Sequence, residues 1–207
     1  MSGRFITLEG IEGSGKSTLA KRLAAALTER GATVVATREP GGTPLAEQVR
    51  ALALSRSAEP VPPAAELLLM FAARALHVEN RIRPALAHGG WVLCDRFTDA
   101  TRAYQGSGRG LSSQLIETLA VASHPGLTPD RTLLLDLPAE AGLARARSRA
   151  DGGDRFEDEA LAFFNRVRRG YLELADREPN RFRIIDASRT ADDVLAASLA
   201  ALDDLWP

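Results

Sequence analysis

Residues 10–17 read Gly-Ile-Glu-Gly-Ser-Gly-Lys-Ser, and their types and spacing satisfy G-x-x-x-x-G-K-[ST] in full. Glycines at 10, 13 and 15 let the backbone curl until its N–H groups converge, which suits phosphate oxygens. A helix starting directly after the loop brings the positive end of its dipole to the same place. Lys16 is placed to reach β and γ phosphate oxygens, and the Ser17 hydroxyl is a ligand for Mg²⁺. Gly10, Ile11, Glu12, Gly13, Ser14, Gly15, Lys16 and Ser17, with Thr18 opening the helix, are therefore expected to bind a nucleoside triphosphate. The motif does not separate a kinase from a GTPase or a motor. All but two of the 26 basic residues are arginine, and one of the two lysines is Lys16. That choice fits a position that needs a slim point charge rather than a planar fork.

Asp95 ends the apolar run Trp91–Cys94, and an acid at a strand's carboxyl end suits a Walker-B role toward Mg²⁺ beside Ser17. Arg96 follows it. The segment Tyr104-Gln105-Gly106-Ser107-Gly108-Arg109-Gly110 reads as a glycine-punctuated loop whose Arg109 meets phosphate or solvent. Arg145, Arg147, Arg149 and Arg155 surround a polar stretch, with Arg145 and Arg149 sharing a helix face. Phe71 and Arg74 project from one face of a long helix, where Phe71 is either core or a stacking surface. His77, His88 and His124 lack metal-ligand spacing, so no metal site is assigned to ring nitrogens.

The elements that must hold these groups alternate along the chain. Strand-like runs are Phe5–Leu8, Thr33–Ala36, Trp91–Cys94, Arg131–Leu135 and Phe182–Ile185. Between them lie helical patterns from Ser17 to Arg30, Pro44 to Leu54, Ala64 to Ala87, Ser113 to Ser123, Ala139 to Arg149 and Glu157 to Arg177, with a last helix capped at Thr190. This alternation predicts an α/β fold of three layers, a five-stranded parallel sheet flanked by helices. Ligands are then expected at the carboxyl ends of the strands. The chain reads as a single domain over 1–207, with a mobile insert near 147–158.

The 26 basic and 27 acidic residues give a net charge of −1, which argues against a general nucleic-acid binder or a polybasic membrane binder. No apolar run approaches the ~18 residues of a membrane span. The start of the chain lacks the pattern of a signal peptide. One cysteine, Cys94, excludes an intrachain disulfide and a cysteine-built zinc site. A cytoplasmic location is the simplest expectation.

Together these segments resemble the thymidylate kinase family. The resemblance spans nearly the whole chain. It rests on Gly10–Thr18, Thr37-Arg38-Glu39-Pro40-Gly41-Gly42-Thr43, Phe71-Ala72-Ala73-Arg74 with His77-Val78, Asp95-Arg96-Phe97, Ala103-Tyr104-Gln105-Gly106 and Asp154-Arg155-Phe156-Glu157. It implies a P-loop NTPase fold of the nucleoside monophosphate kinase type, with a lid, and transfer of the ATP γ-phosphate to dTMP. Lys16 and Ser17 would serve ATP and Mg²⁺, and Glu12 would sit near the nucleotide sugar. Phe71 would stack on thymine and Arg74 would approach the base. Arg96 would hold the acceptor phosphate, and Tyr104 would crowd the sugar C2′ position. Thr101 and Gln105 would border the base, with Glu39 in the same substrate set. Some family members carry a basic residue where this chain has Gly13. In the branch without it, lid arginines take over, which points to Arg149 and Arg155 and to the bacterial branch. A homodimer is also implied.

The chemistry agrees with that resemblance. A phosphate acceptor has a second pKa near ~6 and needs no general base at neutral pH. Catalysis is then positioning plus charge neutralisation. The alternative is another P-loop phosphotransferase, either a different nucleoside monophosphate kinase or a deoxynucleoside kinase. The latter needs a general base, a role open to Glu39. A regulatory nucleotide-binding module would lack the second nucleotide pocket suggested by Phe71, Arg74, Tyr104 and Gln105.

Overall fold

The computed structural model describes residues 3–56, 58–148, 156 and 159–206. β1 (Arg4–Glu9) is the middle of a five-stranded sheet. It lies between β3 (Trp91–Asp95) and β4 (Arg131–Asp136), with β2 (Val34–Arg38) and β5 (Phe182–Asp186) at the edges. Every pairing is parallel, with Ile6 opposite Leu93 and Arg131. The chain leaves β1 toward one edge and later returns to build the other. The crevice above the carboxyl ends of β1 and β3 is thus a topological switch point, where ligands of such sheets bind.

Strand periodicity sends Ile6 and Leu8 to one face, where they pack with Leu93, Leu133 and Leu135 beneath α1 (Lys16–Glu29) and α9 (Ala191–Ala200). Leu19, Leu23 and Leu27, one turn apart on α1, are at most 3% exposed. Burying each such side chain stabilises the fold by about 1.5–3 kcal/mol. Phe5 goes to the opposite face with Val92, Cys94 and Phe97, and Thr7 and Glu9 follow it by the same alternation. That second face is covered in part by α8 (Leu161–Arg177), which buries Phe164, Val167 and Tyr171.

Helix ends follow the local signals. Thr43 accepts from Ala46 N–H ahead of α2 (Pro44–Leu54), and Thr190 accepts from Asp193 N–H ahead of α9. α6 spans Ser113–Ser123, as its pattern predicts. The run read as one helix from Ala64 to Ala87 is α3 (Pro63–His77), a π-helical turn (Val78–Ile82) and α4 (Arg83–Ala87). Pro84 explains the break: it lacks an N–H and its ring crowds the carbonyl of residue 80, so the ladder must widen there. α7 covers Ala139–Arg147, and α8 begins at Leu161 rather than at Glu157.

The glycine-punctuated segment is helical rather than a loop. α5 (Thr98–Thr101) continues as a π-helical segment over Arg102–Gly108. Its glycines serve packing rather than a loose linker. A side chain at Gly108 would meet Phe163 and Val167 of α8, and one at Gly170 would meet Ser107.

Candidate active site

A cleft of about 520 Å³ opens above the switch point, within the range of small-ligand sites. One end is the loop between β1 and α1. Gly10, Gly13 and Gly15 all have positive φ, from 72° to 138°, so the curl depends on glycine. At Gly13 a Cβ would also overlap the carbonyl oxygen of Gly142 on α7. This geometry leaves no room for the basic residue that some family members carry there. Lys16 is 7% exposed. Its ammonium donates to Gly10 O at 3.0 Å, Ile11 O at 2.8 Å and Ser14 Oγ at 3.3 Å. Burial and the nearby Arg96 push its pKa down to about 8, against the pull of Asp95, Glu12 and Glu9. An anion in the loop would relieve that cost.

Ser17 Oγ donates to Asp95 Oδ2 at 3.2 Å. Asp95 Oδ1 is buried and has no hydrogen-bond partner among the described residues. A hydroxyl beside a carboxylate oxygen lacking a donor is the hard-oxygen set that Mg²⁺ takes, with water and phosphate completing its shell. The residues fit the ion.

The middle of the cleft is built on Arg96. Nη1 donates to Gly10 O at 2.9 Å and to the Tyr171 hydroxyl at 3.2 Å; Nη2 donates to Glu12 Oε1 at 2.8 Å and to the Tyr104 hydroxyl at 3.0 Å. The guanidinium lies 4.7 Å from the Tyr104 ring centroid, and Tyr104 donates to Glu12 Oε2 at 2.6 Å. Burial and the neighbouring Glu12 carboxylate raise the Tyr104 phenol, although Arg96 opposes them. Glu12 and Tyr104, expected at the sugar, thus share one guanidinium.

The far end is lined by Met70, Arg74, Thr101, Tyr104 and Gln105. Arg74 is 3% exposed and donates to Glu39 Oε2 at 2.7 Å, Phe97 O at 3.1 Å and Thr101 Oγ1 at 3.1 Å. Its Nη1 is buried without a partner among the described residues, and its guanidinium lies 4.8 Å and 5.3 Å from the Phe71 and Phe97 ring centroids.

Glu39 is less available than the sequence reading expects. Oε2 holds Arg74 and Oε1 holds His77 Nδ1 at 3.0 Å. Burial alone would raise its pKa, but Arg74 and His77 outweigh that and hold the carboxyl below its ordinary value. It is a poor general base and a good anchor for Arg74. His77 and Cys94 lie beside it, yet His77 Nε2 bonds Thr37 Oγ1 at 2.7 Å and the Cys94 thiol donates to Arg96 O at 3.0 Å. The trio is consumed by the fold.

Phe71 is 4% exposed and packs with Leu67, Ile116 and Ala120 between α3 and α6, with the Arg74 guanidinium 4.8 Å from its ring centroid. Met70 lines the cleft beside Arg74. At about 100° per residue, residues four apart lie ~40° apart on the helix and residues three apart ~60° on the other side. Arg109 pairs with Glu66 at 3.1 Å and Glu159 at 2.6 Å and lies over Phe163, so it anchors elements rather than meeting phosphate or solvent. Gln105 donates to the same Glu66 at 2.7 Å.

The family model described as thymidylate kinase matches residues 8–197. The chain belongs to the thymidylate kinase family. It is 54% identical to the thymidylate kinase of Alkalilimnicola ehrlichii over 97% of this chain and 92% of that one. It is 56% identical to that of Pseudomonas entomophila over 100% and 96%. The crystal structure of thymidylate kinase from Ehrlichia chaffeensis superposes with a TM-score of 0.80 at 34% identity, covering 98% of this chain and all of that one. The parallel sheet flanked by helices is thus the thymidylate kinase arrangement of a P-loop fold.

Of the segment expected to form an insert near 147–158, Arg147 ends α7 and is exposed, and Phe156 lines the cleft 5.8 Å from Tyr104, ring to ring. Arg149, Asp154, Arg155 and Glu157 lie outside the described residues. Sequence reading missed Glu9, Glu66 and Tyr171. Glu9 sits one residue before the phosphate loop, and that adjacency was the available signal.

Proposed function

We propose that the protein transfers the γ-phosphate of ATP to dTMP, giving ADP and dTDP. One observation carries this reading. A single cleft holds a phosphate loop with Lys16, Ser17 and Asp95 at one end, and at the other Arg74, whose Nη1 has no partner among the described residues, with Arg96 between them. Two anionic nucleotides entering from opposite ends would meet at Arg96 and Lys16.

In this reading the loop N–H groups and Lys16 hold the β and γ phosphates of ATP. Ser17 and Asp95 hold Mg²⁺, which when bound neutralises charge on the phosphate oxygens. Arg96 exchanges its bond to Glu12 for the acceptor phosphate, a bidentate partner suited to its fork. Arg74 Nη1 donates to a base carbonyl, while Met70, Thr101 and Gln105 border the ring. The Tyr104 ring excludes a 2′-hydroxyl by bulk. The acceptor is already an anion, so the reaction requires no proton abstraction and proceeds by positioning and neutralisation. Arg149 and Arg155 are assigned to the transferred phosphoryl group on the sequence alone.

Two further parts belong to the same proposal. The protein acts as a homodimer, supported by Leu45 and Leu52 on α2, Leu68 on α3, and Leu115 and Val121 on α6, which are 43–69% exposed on adjacent helices. It works in the cytoplasm: among the described residues no helix is long and apolar enough to cross a membrane, and its cysteine is unpaired. A deoxynucleoside kinase is disfavoured because the carboxylate it would use, Glu39, is held by Arg74 and His77. ADP release measured over a panel of nucleoside monophosphates tests the reading. It predicts preference for dTMP over its ribose analogue and over purine acceptors; equal use of all of them would refute it.

A further inference from the structure

Glu9 is the last side chain of β1. It is fully buried and absent from the cleft lining. Its two oxygens accept from two distant elements. Oε1 takes the Phe97 N–H at 2.7 Å, and Oε2 takes the Tyr171 hydroxyl at 2.7 Å. Both donors adjoin Arg96: Phe97 is the next residue, and the Tyr171 hydroxyl also accepts from Arg96 Nη1. Arg96 itself has φ 72°, a left-handed conformation that a non-glycine residue keeps only where its surroundings over-determine it. Arg96 N–H to Leu8 O at 2.9 Å and the Cys94 thiol to Arg96 O hold one side of the turn. Glu9 holds the other.

We propose that Glu9 is a positioning residue for phosphoryl transfer, fixing the Arg96 backbone through Phe97 N–H and the Arg96 guanidinium through the Tyr171 hydroxyl without touching either substrate. The proposal rests on the reading of Arg96 as the acceptor-phosphate ligand. The chemistry calls for a carboxylate, because both neighbours donate. A glutamine offers one oxygen and one NH₂, so one of the two donors would face another donor whichever way the amide lies. Burial, with the charge of Asp99 adding, works against the carboxylate charge and pushes the carboxyl upward, while Arg96, the Tyr171 hydroxyl and the Phe97 N–H favour the ionised form. Asp99 is itself bound by Arg181 and Arg102. Burial this expensive is consistent with a role in the site.

The test compares Glu9→Gln, Tyr171→Phe, the double variant and Arg96→Gln by steady-state kinetics for both substrates and by thermal unfolding. Glu9→Gln should lower kcat/KM for dTMP about 10–100-fold, the range for removing a group that orients a ligand-binding side chain, with the KM for ATP unchanged. Tyr171→Phe should lose less, and the double variant should be no worse than Glu9→Gln, because both act along one chain of bonds. Unchanged dTMP kinetics in Glu9→Gln, multiplied losses in the double variant, or equal damage to both substrates in step with lost stability would each overturn the proposal. If Glu9→Gln does not fold, Tyr171→Phe decides: a loss confined to dTMP supports the proposal and unchanged kinetics overturn it. Arg96→Gln separates the two readings. If it leaves dTMP kinetics intact, the assignment of Arg96 fails and the proposal with it. If it is impaired while Glu9→Gln and Tyr171→Phe are not, the proposal alone fails.

Discussion

Replacing Arg74 with methionine separates what the Arg74–Glu39 pair does for stability from what Arg74 does for binding. Both side chains are at most 3% exposed. Truncating Arg74 leaves Glu39 buried with His77 as its remaining partner among the described residues. Removing one member of such a pair costs about 3–5 kcal/mol. At about 2–4 °C per kcal/mol for a domain of this size, the midpoint of unfolding should fall by about 6–20 °C. The pH dependence has a definite sign. In the unmodified protein Glu39 has a depressed pKa, so its stabilisation is present above the unfolded value of about 4.3 and is lost as pH falls through the folded value. In Arg74→Met burial raises that pKa instead, so the stability deficit should be largest at high pH and shrink on acidification. Adding Glu39→Gln removes the stranded charge and should restore most of the midpoint. Binding should not recover. Losing a charged donor to the base costs about 1.5–3 kcal/mol, a rise in dTMP KM of about 10- to 150-fold. Differential scanning calorimetry from pH 5 to 9 and initial rates on the same variants provide the readouts. Restored dTMP affinity in the double variant would refute a direct role for Arg74, and a midpoint unchanged in the single variant would refute the energetic reasoning.

Two further outcomes follow from the cleft wall and the metal position. Phe71→Ala should cost about 3–5 kcal/mol of stability and raise dTMP KM less than Met70→Ala does, acting through the Arg74 guanidinium 4.8 Å from its ring centroid. Met70→Ala should keep the fold and lose a sulfur–ring contact of about 0.3–1.5 kcal/mol, a KM rise of about 2- to 12-fold; the reverse pattern would return Phe71 to the site. Asp95→Asn should raise the half-saturating Mg²⁺ concentration for activity by about 10-fold or more without changing dTMP KM. An unaltered Mg²⁺ titration would move the metal elsewhere.

The parts of this site legible in the sequence are the contiguous ones. The curl of residues 10–17 is encoded in glycine φ freedom at adjacent positions, and Leu19, Leu23 and Leu27 announce α1 by period alone. The sheet followed from five apolar runs separated by helical patterns. The acceptor end depends on contacts between distant segments, which local pattern does not encode. Met70 and Phe71 sit on either side of Arg74 around α3, and only the packing of α6 through Ile116 and Ala120 decides which one turns inward. Glu39 and His77 were named, but their bond spans 38 residues and no local pattern reports it. Tyr171 meets Glu9 across 162 residues. Glycines 106, 108 and 110 looked like a loop because local sequence does not show that α8 presses against Gly108.

The most direct test of the central claim is to offer ATP and Mg²⁺ with dTMP in one reaction and with thymidine in another, and to follow phosphorus products by ³¹P NMR. A cleft that neutralises an acceptor phosphate and keeps Glu39 bound to Arg74 and His77 predicts dTDP and ADP in equal amounts from dTMP, and no nucleotide product from thymidine. Formation of dTMP from thymidine, or steady ATP hydrolysis that dTMP neither accelerates nor captures, would contradict it.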